Sequence, residues 1–218
     1  MRLTILLLLL AAWPAPPASA QGPVSEIATR AAALTALEES DARLRLAAVI
    51  YLGHHGLAAD GPLLAKRLFD DDPVVREAAE QAIWLAWSRS GDAEADRLLA
   101  TGVEQMNAGE LERAITTFGK VIERKPQFAE GWNKRATAYF LAGELRKSLA
   151  DCEEVMKRNP LHFGALSGYG QIYVQLGDYA RALEYFRRAL AVNPNLTGLE
   201  AVILRLEELL REQRRRTI

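Results

Sequence analysis

The chain has 218 residues, half of them apolar, with 27 basic residues against 28 acidic ones and a single cysteine. A balance this close to neutral leaves no electrostatic footprint for nucleic acid or for an anionic membrane surface. One cysteine excludes an internal disulfide, so packing alone must stabilise the fold.

Residues 1–20 read as an address rather than as structure. Arg2 precedes an apolar run from Leu3 to Trp13, and a Pro-rich, small-residue stretch then ends at Ala18-Ser19-Ala20. That is the three-part layout of a secretory signal peptide. The run is shorter than the roughly 20 residues that span a bilayer, and no comparable run follows. The mature chain is therefore expected to begin near Gln21, to carry no integral membrane segment and to reach the bacterial periplasm. Its loss removes one Arg and no acid, leaving 26 basic against 28 acidic residues, a net charge of -2.

Residues 24–91 contain a pattern that occurs twice. Asp41-x3-Arg45-x2-Ala48 returns 31 residues later as Asp72-x3-Arg76-x2-Ala79. In the second copy Asp72 is a natural N-cap and Pro73 suits the first helical position. Val74, Val75, Ala78, Ala79, Ala82, Ile83 and Leu85 then form an apolar stripe, and a further helix is expected ahead of each copy, over 27–37 and 62–69. The arrangement resembles a pair of short HEAT repeats. The resemblance implies that Asp41, Arg45, Asp72 and Arg76 bridge neighbouring repeats rather than perform chemistry. Ser88 to Asp92 is a polar boundary too short to act as a tether, which predicts one continuous solenoid with a change of pitch near Gly91.

Residues 92–194 repeat with a different period. Pro126, Pro160 and Pro194 stand 34 residues apart, as do Gly109, Gly143 and Gly177. Each glycine suits a left-handed helix ending, followed by an acid (Glu110, Glu144, Asp178) at the start of the next helix, and each proline closes a unit. Between these landmarks the sequence resembles the tetratricopeptide (TPR) pattern, most fully in Leu166, Tyr169, Gly170, Tyr173, Ala182, Phe186 and Pro194. The second unit keeps Trp132, Ala136 and Tyr139 but has Ser148 and Cys152 where Ala and Phe are usual. The first keeps Gly102, Ala114 and Phe118 but departs at Thr101 and Gln105. Residues 195–218 supply a capping helix, with Leu199, Val202, Ile203, Leu206, Leu209 and Leu210 on one stripe, and a basic tail at Arg214-Arg215-Arg216 that complements the helix dipole. The whole is expected to be an all-α, right-handed α-solenoid of helical hairpins, HEAT-like and then TPR.

The TPR resemblance implies a concave groove lined by the first helix of each repeat. By matching positions it would draw on Leu99, Val103, Met106 and Asn107, then Asn133, Lys134, Thr137 and Phe140, then Ser167, Gln171, Val174 and Gln175. TPRs that grip a C-terminal carboxylate distribute Lys, Arg and Asn over successive repeats. Here Lys134 and Asn133 stand alone, so the expected guest is an extended peptide held by amide side chains, with Met106 and Phe140 against an apolar residue.

No constellation points to catalysis, to a metal or to a cofactor. Adjacent His54 and His55 lack further ligands at metal spacing, Cys152 has no partner base, and Asp70-Asp71-Asp72 lacks the alternation of a calcium loop. The function these residues support is a non-catalytic scaffold of the bacterial envelope that binds a peptide or partner protein, with an assembly chaperone for secreted or outer-membrane proteins as the alternative.

Overall fold

The computed structural model describes residues 27–216, and the expected export signal lies outside them. Among the described residues there are eleven α-helices and no strand. Two hairpins come first, α1 (Arg30–Ala36) with α2 (Ala42–His55), and α3 (Gly61–Lys66) with α4 (Pro73–Trp87). Three more follow: α5 (Ala93–Asn107) with α6 (Leu111–Arg124), α7 (Ala129–Leu141) with α8 (Leu145–Arg158), and α9 (Phe163–Gln175) with α10 (Tyr179–Val192). Helix α11 (Leu199–Arg216) ends the stack.

The 31-residue repeat is a repeat of contacts as well as of letters. Asp41 accepts the N–H of Arg43 at 2.9 Å, and Asp72 accepts those of Val74 and Val75 at 2.8 and 3.2 Å, so each acid caps its own helix. The Arg45 guanidinium donates to the carbonyls of Glu39 and Ser40, and Arg76 donates in the same way to Asp70 and Asp71. The bridge between hairpins is made by Asp70, not by Asp41 or Asp72. Its carboxylate takes two bonds from Arg45, at 2.8 and 2.7 Å, with both side chains largely out of water. The Arg45 hydrogen bonds hold the Asp70 carboxyl below its usual range despite burial. Packing here uses small residues: a Cβ added at Gly53 would stand 3.0 Å from that of Ala82, which lets α2 and α4 lie close. The helix expected over 62–69 is shorter than its pattern, because the chain tightens into 3-10 turns at Ala58–Asp60 and Arg67–Phe69 on either side of α3. The helix expected over 27–37 starts at Arg30, where the Thr29 hydroxyl accepts the N–H of Ala32.

In the second half, Gly109, Gly143 and Gly177 have φ of 77, 76 and 75°. Each leaves the next N–H to reach back five residues, Glu110 to Gln105, Glu144 to Tyr139 and Asp178 to Tyr173, at 2.8–2.9 Å. Where the two helices of a repeat cross, Gly102 faces the Phe118 ring and Gly170 faces the Phe186 ring so closely that an added methyl would collide. The second repeat solves the same crossing with other volumes. Ala136 replaces the glycine and Cys152 replaces the phenylalanine, both buried in one cluster, so a methyl gained on one side is offset by a ring lost on the other. Ser148 donates to the Ala136 carbonyl at 2.8 Å, which satisfies the hydroxyl that stands where Ala is usual. Burial pushes the Cys152 thiol up to about 12, consistent with a core residue. Leu199, Val202, Ile203, Leu206 and Leu209 of α11 cover Ala182 and Phe186.

The expected continuity of the stack fails at Gly91. Helices α4 and α5 do not lie side by side. Instead the chain turns sharply where Arg89 donates to the Gly56 and Gly53 carbonyls, locking onto the end of α2. The end of α4 lies against the start of α9, where its two tryptophans find aromatic partners.

Candidate functional site

The first helices of the three repeats, α5, α7 and α9, contact one another in order. Thr137, Ser167 and Gln171 are half-buried, Val103 and Phe140 likewise, and Asn107 and Gln175 are exposed. Val103 and Phe140 pack against the cores of their own repeats, which leaves Thr137, Ser167, Gln171, Asn107 and Gln175 as the expected groove residues outside the core clusters. Three expected groove residues are core instead. Leu99 and Met106 pack inside the first repeat with Phe118 and Val121, because no preceding hairpin stacks on α5 and its apolar residues turn inward. Val174 lies under α11 in the last cluster. The exposed side chains of Leu141 and Leu176, at the C-terminal ends of α7 and α9, add apolar surface that the sequence pattern did not single out.

The N-terminal ends of α7 and α9 are walled off. Trp84 and Trp87 of α4 stand over them: the Trp87 ring stacks on His162 at 4.4 Å between centroids, and Trp84 meets Phe163 edge-on at 5.0 Å. Gly164 leaves room for Trp84, since any Cβ there would strike its ring. Asn195, at the far end of the chain, donates to the Leu68 carbonyl at 2.9 Å. Phe163, Leu161, Val192 and Leu196 thereby join the core of the first half. Beside this junction a cleft of about 470 Å³ opens between Ala58, Pro62 and Trp87 on one side and Phe128, Arg158 and Leu161 on the other.

Beneath the tryptophans lies a buried polar cluster. Glu130 is fully buried, 2.9 Å from His162 Nε2, and accepts from Asn133 at 3.1 Å; Lys134 Nζ stands 3.1 Å from its other oxygen. His162 Nδ1 accepts the N–H of Ala165, capping α9, which assigns the ring proton to Nε2, facing Glu130. Burial opposes ionisation of Glu130, but Lys134 and the His162 hydrogen bond outweigh it and hold the carboxyl below its usual range. Lys134 also stands over the Trp84 ring, 5.9 Å from its centroid. Asn133 and Lys134, expected to face a guest, are thus engaged within the protein. Asp96, at the position equivalent to Glu130 one repeat earlier, accepts from the Ser90 N–H and hydroxyl at 2.7 and 2.5 Å.

Trp84, Trp87, Asp96, Glu130, His162 and Phe163 had no part in the sequence reading of the site. One signal was available, since Trp84 and Trp87 lie one turn apart at the end of α4, with Trp87 continuing its buried stripe from Ala79 and Ile83. His54 and His55 are the last two residues of α2 and exposed, and among the described residues no group of three or more metal-ligating side chains gathers. No helix among the described residues is long and apolar enough to cross a membrane.

Stacked helical hairpins define a helical-repeat protein. The tetratricopeptide repeat profile matches residues 99–155 and again 163–196. A TPR repeat-containing protein of Rhizobium etli is 34% identical over 139 residues, which cover 63% of this chain and 68% of that protein. A small glutamine-rich TPR-containing protein of Mycosarcoma maydis is 29% identical over 103 residues, 47% of this chain and 29% of its own length. Among solved structures, the first TPR of Spaghetti (RPAP3), bound to the HSP90 peptide SRMEEVD, superposes with a TM-score of 0.53 at 22% identity, over 55% of this chain and 96% of that one. This chain belongs to the tetratricopeptide repeat family.

Proposed function

We propose that this chain is a non-catalytic interaction scaffold of the bacterial cell envelope, holding an extended peptide or a segment of a partner protein in the groove of its TPR half. The observation that carries the reading is the run of uncharged, half-exposed side chains on successive first helices, Thr137 on α7 and Ser167 and Gln171 on α9. Such groups bond to a guest backbone while neighbouring apolar residues take its side chains. A TPR domain of this fold that carries a peptide supports the same use of the groove. Export rests on residues 1–20 alone, and the bacterial assignment is supported by the Rhizobium relative. The first half is read as two HEAT-type hairpins, on the strength of the matched Arg45 and Arg76 contacts, and offers a second docking surface.

The test is affinity capture from the host with the tagged full chain and with Thr137→Arg. This change places a long cation in the groove at a half-exposed position, where its cost to stability stays within about 0.5 kcal/mol. A partner released by osmotic shock together with the wild-type protein, and reduced at least about tenfold with the variant, is the expected result. Equal recovery with both proteins would remove the groove from the function, and retention of the tagged chain in the cytoplasm would remove the envelope.

The exposure of Leu141 and Leu176, at 38% and 50%, favours a second reading as an assembly chaperone with transient hold on unfolded segments. Suppression of aggregation of several unrelated unfolded proteins at similar concentrations would favour that reading over the scaffold.

A further inference from the structure

We propose that the groove accepts an internal stretch of polypeptide and rejects a chain end bearing a free carboxylate, because its one cation, Lys134, is already paired with the buried Glu130 and its remaining charge, Asp96, is an acid. The inference rests on the groove being the binding surface.

Three ionisable side chains occupy groove positions on the first helices: Asp96 on α5, and Glu130 and Lys134 on α7. Lys134 and Glu130 answer each other, whereas Asp96 keeps its negative charge: its Oδ1 accepts the N–H and hydroxyl of Ser90, two uncharged donors in the turn joining the two halves. Glu130 is fully buried, with His162, Asn133 and Lys134 around it. Lys134 has a carboxylate on one side and the Trp84 ring on the other. The third repeat places Gly164 and Gly168 at the positions equivalent to Glu130 and Lys134, so it adds no charge, and Gly164 is where Trp84 sits.

The consequence is a matter of desolvation. A guest carboxylate entering the groove would lose water and meet no unpaired cation, and the one ammonium nearby would have to leave Glu130 buried and alone. An uncharged backbone loses much less, and Thr137, Ser167 and Gln171 can replace the water it gives up. The exposed Leu141 and Leu176, at the ends of α7 and α9, suit apolar side chains of the same stretch. Since the contacts are uncharged, binding should depend little on salt.

The experiment uses the full chain against two displayed libraries of random dodecapeptides, one joined at both ends and one ending in a free carboxylate. Selected peptides are then titrated by fluorescence anisotropy at low and high salt, against the wild-type protein and Thr137→Arg. Peptides should enrich from the joined format, with Asp and Glu depleted. Their Kd should change by less than about threefold between 50 and 500 mM NaCl. Freeing a carboxylate within the bound stretch should weaken binding about tenfold. Preferential enrichment of the free-carboxylate format, or a Kd that rises about tenfold or more with salt, would overturn the inference and leave the groove reading standing. If Thr137→Arg leaves the binding of every selected peptide unchanged, or if neither library yields a binder, the groove reading falls and takes the inference with it.

Discussion

The two halves of the molecule use different means to the same kind of hairpin stack. In the TPR half, registration is local: a glycine with positive φ ends each first helix, and a small residue faces a matched larger one at each crossing. In the first half, registration between hairpins depends on a buried ion pair, Arg45 with Asp70, made across 25 residues of chain. A third means joins the halves to each other, the aromatic contacts of Trp87 with His162 and Trp84 with Phe163, far apart in the chain. The range of the decisive contact therefore grows from the repeats, through the first half, to the junction, and its visibility in the sequence falls in that order.

Breaking the junction should have the largest effect. Trp87 is nearly fully buried against His162 and Phe163. Trp87→Ala is expected to cost about 3–5 kcal/mol, within the range for large aromatic truncations in cores. Denaturant unfolding followed by far-UV circular dichroism should change from one transition to two, as the halves lose their coupling. A loss below about 1 kcal/mol with a single transition would show that the halves do not depend on this contact.

Asp70→Asn tests the first half. Removal of one partner from a fully buried pair costs roughly 3–5 kcal/mol. Here about 2–3 kcal/mol is expected, since Arg45 keeps its bonds to Glu39 and Ser40 and is not wholly buried. The pH dependence has a definite sign. The folded-state carboxyl titrates lower than in the unfolded chain, so its contribution is present above about pH 4 and is lost as pH falls through the folded value. Urea midpoints measured from pH 7 to pH 2.5 should converge for the wild type and the variant at the acid end. A constant gap throughout would deny the ion pair its role.

Volume compensation in the second TPR repeat sharpens the contrast from the other side. Cys152→Phe alone should overpack the crossing with Ala136 and cost about 1–3 kcal/mol. Adding Ala136→Gly, which recreates the pairing seen in the first and third repeats, should recover about 1 kcal/mol of that loss, although glycine is the poorer helix former. Additive or worse behaviour in the double variant would mean that the crossing is not set by this pair. Smallest of all, changing both His54 and His55 to Ala should shift stability by no more than about 0.5 kcal/mol and leave metal content unaltered. Loss of a stoichiometric metal would reverse the reading of that exposed pair.

Legibility followed the same gradient. The 34-residue period, the helix-ending glycines and the capping stripe of α11 could be read directly, because each depends on neighbours within a repeat or between adjacent ones. Asp72 was read as a cap but Asp41 was not, and Asp70 was not recognised as the bridging acid, because which of three consecutive aspartates turns toward Arg45 depends on the 3-10 turn that precedes them. In the groove, Thr137, Ser167 and Gln171 were placed by repeat position alone. Leu99, Met106 and Val174 were misplaced because repeat position does not say whether a neighbouring hairpin, or a capping helix, lies alongside.

By itself the sequence determined the all-helical class, the two repeat periods and the ends of most helices, since these follow from local conformational preference and apolar spacing. Only the tertiary structure decided that α4 leaves the stack, that Trp84 and Trp87 cover the start of α9, and that Asp96, Glu130 and Lys134 are engaged before any guest arrives. Those outcomes depend on one sharp turn at Arg89, which brings distant surfaces together, and no periodicity records where two distant surfaces will meet.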